Sequence, residues 1–137
     1  MSWQAYVDSS LVGSGHIDKA CIVSAAGDST WAASAGFSVG ADELKKVAAI
    51  LTEAEKSSGP KPTTEDAQAN GFYIAGERYI ITRIDGRTIY GRLGKTGVCI
   101  AKTKQAILIG HHGENTIAGN ASQTVEALAD YLIKAGY

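Results

Sequence analysis

At 137 residues, 45% hydrophobic and 20% charged, the chain has the balance of one folded domain spanning residues 1–137, able to bury a core without disulfide or metal staples. A net charge of −1 gives no strong global field. No apolar run approaches the length of a transmembrane helix and no charged-then-apolar leader opens the chain, so a cytoplasmic protein is expected.

Ser2 can cap a helix running to about Leu11, with Gly13 and Gly15 stopping it. On that helix Trp3 and Tyr6 sit side by side, next to a stripe of Val7 and Leu11. The far end, "ADYLIKAGY", carries Tyr131 and Tyr137. Aromatic residues on frayed termini would bury nothing, so their presence at both ends predicts that the ends pack together and build a surface. "KACIVSAAGDSTWAASAG" reads as two short strands around a turn at Gly27-Asp28, with Trp31 on the second. "ADELKKVAAILTEA" places Leu44, Val47, Ala48 and Leu51 at i, i+3, i+4 and i+7, with Asp42 and Glu43 in the first turn, and so predicts an amphipathic helix.

Residues 55–70 hold both prolines and little to bury, which predicts a solvent loop with at most a helical turn at Thr64–Ala69. Strand-like runs then follow at Gly71–Ala75, Arg78–Ile84, Thr88–Arg92, Val98–Thr103 and Ala106–Gly110, with spacers short enough for an antiparallel meander. A last helix is predicted from about Asn120 to Ala135, capped by an Asn120…Gln123 pattern, with Val125, Leu128, Ala129 and Leu132 as its core stripe. "RYIITRI" and "QAILIG" are apolar on both faces, so the sheet should be covered on both sides. The fold class expected is α+β: a central antiparallel sheet, the N- and C-terminal helices packed on one face, and a further helix on the other. Cys21 and Cys99 lie in strand-like runs and read as buried thiols, not as a disulfide.

Between Glu77 and Lys104, seven basic residues face two acidic ones, an excess of five positive charges. That excess is either a solvated set of strand faces or a basic face for an acidic partner. Several chemical motifs fail on context. Gly94-Lys95-Thr96 lacks the upstream glycine and following helix of a phosphate loop, and Gly13–Gly15 lacks the third glycine of a dinucleotide fingerprint. His111 and His112, read as a loop-end pair, would point to opposite sides and have no carboxylate or cysteine cluster to complete a metal site. Asn120-Ala121-Ser122 fits a glycosylation sequon, but without a leader it reads as a helix cap. No serine stands on a strained Gly-x-Ser-x-Gly turn and no cysteine has a histidine in reach, so nothing asks for an enzyme.

"SWQAYVD", "STWAASAGF", "RTIYGR" and "ADYLIKAGY" together resemble the profilin family, in its fungal, plant and amoeboid branches, along the whole chain. The resemblance implies the sheet-and-helix fold already expected, no cofactor, no metal, and a monomer in the cytoplasm associated with the cytoskeleton. It implies three partners: monomeric actin, whose polymerisation it would regulate, proline-rich segments of other proteins, and phosphoinositide headgroups at a membrane surface, with no nucleic acid among them. Carried over to this sequence, the proline-binding positions are Trp3, Tyr6, Trp31, Tyr131, Leu132 and Tyr137. The helical phase of Tyr131, a quarter-turn off the core stripe, agrees with partial exposure. The actin-binding positions are Arg78, Ile80, Ile81, Arg83, Arg92, Gly119 and Gln123, and the phosphoinositide positions are Arg78, Arg83, Arg92 and Lys102. Two other readings compete: an adaptor for proline-rich or lipid ligands without useful actin affinity, and a ligand-sensing or enzymatic domain of similar shape.

Overall fold

The computed structural model describes residues 2–56 and 58–137; Ser57, within the expected loop, lies outside the described residues. The chain opens with one α-helical turn, α1 (Trp3–Ala5), capped by the Ser2 hydroxyl, which accepts from the Ala5 N–H at 3.1 Å. It widens into a π-helical stretch over Tyr6–Leu11 and closes with a 3₁₀ turn over Val12–Ser14. The helical path therefore runs past Leu11 and through Gly13, and ends where Gly15 adopts a left-handed φ of 83°.

Strands β1 (Lys19–Ser24) and β2 (Thr30–Ala33) form a hairpin, and α2 (Ala41–Ala54) follows. The segment after α2 departs from the expected loop: Pro62–Asn70 is a helix, α3, with Pro62 in its first turn. Its N-terminus is capped from a distance. The Glu53 carboxylate accepts from the backbone N–H groups of Thr63 (3.2 Å) and Thr64 (2.9 Å). Burial of Glu53 opposes ionisation, but these hydrogen bonds outweigh it and bring its carboxyl down to about 2.

Strands β3 (Phe72–Ile74), β4 (Glu77–Asp85), β5 (Thr88–Leu93), β6 (Thr96–Lys102) and β7 (Ala106–His112) make the expected meander. The sheet order is β2-β1-β7-β6-β5-β4-β3, every pairing antiparallel. The β3–β4 turn needs left-handed backbone at Ala75 (φ 53°) and Gly76 (φ 83°). Glu43 of α2 holds it, accepting from the N–H groups of Ala75 (3.0 Å) and Gly76 (2.9 Å). The last helix, α4 (Ala118–Lys134), starts two residues before the expected Asn120. Ile117 stands at its cap position, so no side chain caps it, Asn120 included.

The layers follow the expectation, with α3 as an additional helix. On one face Val7 and Leu11 of the N-terminal segment pack with Val125, Leu128 and Leu132 of α4 over Ile22, Cys99 and Leu108. On the other, Leu44, Val47 and Leu51 of α2 and Ala67 of α3 cover Phe72, Ile89, Ile100 and Ile109. Each fully buried aliphatic side chain contributes about 1.5–3 kcal/mol. Cys21 and Cys99 lie in opposite layers as free thiols, both pushed up to about 12 by burial. β7 is buried along its whole length, as "QAILIG" led one to expect, and it continues to His112. β4 is different: apart from Tyr79 its residues are exposed or half-buried. α4 lies over β6 and β7 and reaches β5 at Thr88, which is buried and donates to Glu126, so the α4-side face is left open on β4 and at the Arg92 end of β5. That opening is the first requirement of a binding surface.

Candidate functional site

Two surfaces emerge, at opposite ends of the strand order. The first is aromatic. The Trp3 ring lies 5.7 Å from Tyr6, 4.8 Å from Trp31 and 5.2 Å from Tyr137, centroid to centroid, and Tyr6 lies 6.1 Å from Tyr131. Two clamps bring the chain ends together here. Gln4 uses its side-chain amide like a strand, donating to the Ala33 carbonyl (3.0 Å) and accepting from the Ala33 N–H (3.4 Å), which fastens the N-terminal segment to β2. The Tyr137 carbonyl accepts from the Gln105 N–H (2.6 Å) and the Thr103 hydroxyl (2.8 Å), which fastens the C-terminus to the β6–β7 turn.

Exposure sorts the six expected residues. Tyr131 (56%) and Tyr137 (42%) are open, Trp3 and Trp31 are half-buried, and Tyr6 is buried to 8% beneath them. Burial, together with the neighbouring Tyr131 hydroxyl, raises the Tyr6 phenol above its usual value, so it stays a neutral hydrogen-bonding group. Leu132 belongs elsewhere: it is fully buried in the α4-side core and supports the platform from below. The result is a partly exposed aromatic surface whose rings pack on one another.

The second surface is the open face of β4 and β5 with the start of α4. Arg78 and Ile80 alternate away from Tyr79, and Ile80 pairs across the strands with Arg92. A bulge at Thr82 then shifts the strand's parity, so Arg83 joins the same face and sets its guanidinium 5.3 Å from the Tyr90 ring centroid. Ile81 is turned to the other face, against the α2-side core, and drops out of the group. Arg78 donates through Nε to the Asn70 carbonyl (2.7 Å), Arg92 to the Gly94 carbonyl (2.8 Å), and Arg83 pairs with Asp85. Lys102 also departs from the expectation: it sits on the α2 side and pairs with Glu55 at 3.0 Å.

Gly119 and Ser122 of α4 close this face, while Gln123 beside them is exposed. Between the strands and the helix lies a cavity of about 670 Å³, lined among others by Arg83, Tyr90, Arg92, Lys95, His112 and Gly119. Burial and the Glu126 carboxylate push the Tyr90 phenol up to about 12. Ile80 (57% exposed) and Ile117 (70%) leave apolar surface near the cations. Sequence reasoning missed Gln4, His112 and Ile117. Gln4 gave no local signal, and His112 was taken for a loop residue although it ends a buried strand. Among the described residues no cluster of His, Cys, Asp or Glu could hold a metal ion, and no helix is long and apolar enough to cross a membrane.

Comparison with known proteins agrees with this geometry. A family model described as Profilin matches residues 1–137. The chain is 47% identical over 137 residues to the profilin of Schizosaccharomyces pombe, covering all of both chains. The crystallised S. pombe protein superposes with a TM-score of 0.87 at 47% identity, over 99% of this chain and 100% of that one. Mouse profilin IIa, solved in complex with a double repeat from the FH1 domain of mDia1, shares the fold at a TM-score of 0.76 and 21% identity, covering 100% of each chain.

Proposed function

This chain belongs to the profilin family, whose members are actin-binding regulatory proteins and not enzymes, and on that premise we propose that it binds three partners through two separate surfaces. Monomeric actin docks on the open sheet face, through Arg78, Ile80, Arg83, Arg92, Gly119 and Gln123. Proline-rich segments dock on Trp3, Tyr6, Trp31, Tyr131 and Tyr137. Phosphoinositide headgroups meet Arg78, Arg83 and Arg92. It acts as a monomer in the cytoplasm and modulates actin polymerisation.

The observation that carries the reading is the ring cluster built from both chain ends, with Trp3 in contact with three other rings. A left-handed polyproline helix is already ordered when free, so flat, pre-set aromatics capture it at little entropic cost. Arg78, Arg83 and Arg92 serve both actin and the headgroup in this scheme, so those two partners exclude each other, while the proline ligand stays independent of both. The test is a fluorescence titration with monomeric actin, with and without a saturating proline-rich peptide. The expected result is saturable actin binding that the peptide leaves unchanged. Polyproline binding without actin binding would reduce the protein to an adaptor, and displacement of actin by the peptide would refute the two-surface division.

A further inference from the structure

A smaller cavity, of about 260 Å³, lies on the α2 side of the sheet, apart from the aromatic platform and the arginine face, and shares only Thr96 with the larger one. It falls below the about 300–1,000 Å³ usual for drug-sized ligands, which points to an occupant of metabolite size. Two buried polar side chains line it. His111 alternates along β7 with Ile107 and Ile109 and so turns to this face. Its Nδ1 lies 2.6 Å from Asp18 Oδ1, and a carboxylate can only accept, so the neutral ring carries its proton on Nδ1 and offers Nε2 as an acceptor. The Tyr79 ring, 2% exposed, lies 6.3 Å from that imidazole. Burial, with the carboxylates of Glu77 and Asp18 nearby, pushes the Tyr79 phenol up to about 12, so its hydroxyl keeps its proton and can donate. Neither His111 Nε2 nor the Tyr79 hydroxyl has a hydrogen-bond partner among the described residues, and neither is sealed off from accessible surface.

Two opposite charges line the same cavity without meeting. Lys19 on β1 holds its ammonium 5.9 Å from the Phe37 ring centroid, and Glu77 opens β4. Neither has an ion-pair partner among the described residues. The walls that carry Phe37 and Glu77 are tied to each other through α2. Glu43 accepts from the Gly40 N–H (2.7 Å) beyond Phe37, and from the Ala75 and Gly76 N–H groups just before Glu77. The site is therefore set before any ligand arrives. A cation, an anion, an acceptor and a donor on one small cavity match the four polar groups of one small molecule. We propose that the cavity binds a zwitterion of the α-amino-acid class with a carboxamide side chain. Lys19 meets its carboxylate and Glu77 its ammonium. His111 Nε2 accepts from the amide NH₂, Tyr79 donates to the amide carbonyl, and Phe37, Ile74 and Leu93 flank the methylenes. The proposal rests on none of the actin, proline or headgroup assignments.

The test uses the whole protein and L-glutamine, followed by calorimetry and by the His111 ring resonances. Binding should saturate and move those resonances, a readout on the wild type that needs no variant to fold. No saturation by about 10 mM overturns the proposal. Saturation with unmoved His111 resonances overturns it too, since the amino acid would then sit elsewhere. Two related probes each remove one recognised group: N-acetyl-L-glutamine lacks the ammonium and L-alanine lacks the carboxamide. Each should bind about tenfold more weakly than L-glutamine. Equal affinity for L-alanine would strike out the carboxamide and with it the roles of His111 and Tyr79. Lys19→Gln and Glu77→Gln, neither in the core clusters, should each weaken L-glutamine about tenfold with an unchanged circular dichroism spectrum. Glu77→Gln should leave N-acetyl-L-glutamine unaffected, because that probe has no ammonium to lose. A further loss there, or full affinity for L-glutamine in both variants, refutes the charge pairing.

Discussion

Trp3 touches Tyr6, Trp31 and Tyr137, so its removal opens the proline surface at its centre. Trp3→Ala is expected to weaken binding of a polyproline peptide by about 2 kcal/mol or more, as for other aromatic hot spots, and Tyr131→Ala by a similar amount. Retention on a polyproline column, with an unchanged circular dichroism spectrum, would count against this assignment. Leu132→Ala is a different experiment. With the side chain fully buried, it should cost about 2–5 kcal/mol of stability in denaturant titration. The sequence made Tyr131's exposure legible through helical phase, yet gave no sign that Ile81 and Arg83 would separate. That depends on the bulge at Thr82, and no residue type marks it.

At the level of elements, α3 is the instructive case. Residues 62–70 have almost no apolar stripe, and the helix there forms because Pro62 suits its first turn and Glu53, on α2, supplies the missing cap. The capping partner comes from another element, so local pattern could not reveal it. Glu53→Ala should cost about 1–2 kcal/mol, the usual range for a lost cap. Its carboxyl lies near 2 in the folded state against 4.5 ordinarily, so its contribution is complete above 4.5 and is lost as pH falls towards 2. Thermal melts should therefore show an acid decline between those limits that is shallower in Glu53→Gln. An identical decline in both proteins would remove Glu53 from the account. By contrast, α2 and α4 were readable because their own sequences carry the apolar period that the sheet requires.

Across the whole molecule, the aromatic platform sits by β2 at one edge of the sheet and the open basic face on β4 and β5 near the other. Arg83→Glu should weaken actin binding by about 2 kcal/mol or more through like-charge contact and leave polyproline binding unchanged. Trp3→Ala should do the reverse, and equal damage by each variant to both activities would show overlapping sites. Headgroup binding should fall steeply with added salt, since charge drives it. The meander and the two-sided layering could be read from turn spacing and apolar runs. The open face could not, because it depends on how far α4 reaches across the sheet, a tertiary fact that "RYIITRI" does not encode.

The amide of Gln4 has a consequence beyond holding the N-terminal segment in place. β2 is an edge strand, and an edge presents unpaired N–H and C=O groups that can recruit a strand from another molecule. Gln4 occupies both outward groups of Ala33, the last residue of β2, as a neighbouring chain would. An incoming strand would need those same two groups, so the side chain that holds the platform also stands in the way of intermolecular sheet extension at this point. Gln4→Ala should leave β2 open there, so that concentrated samples held warm gain light scattering and thioflavin fluorescence sooner than wild type. Equal rates for the two proteins would mean that the edge is protected by other means.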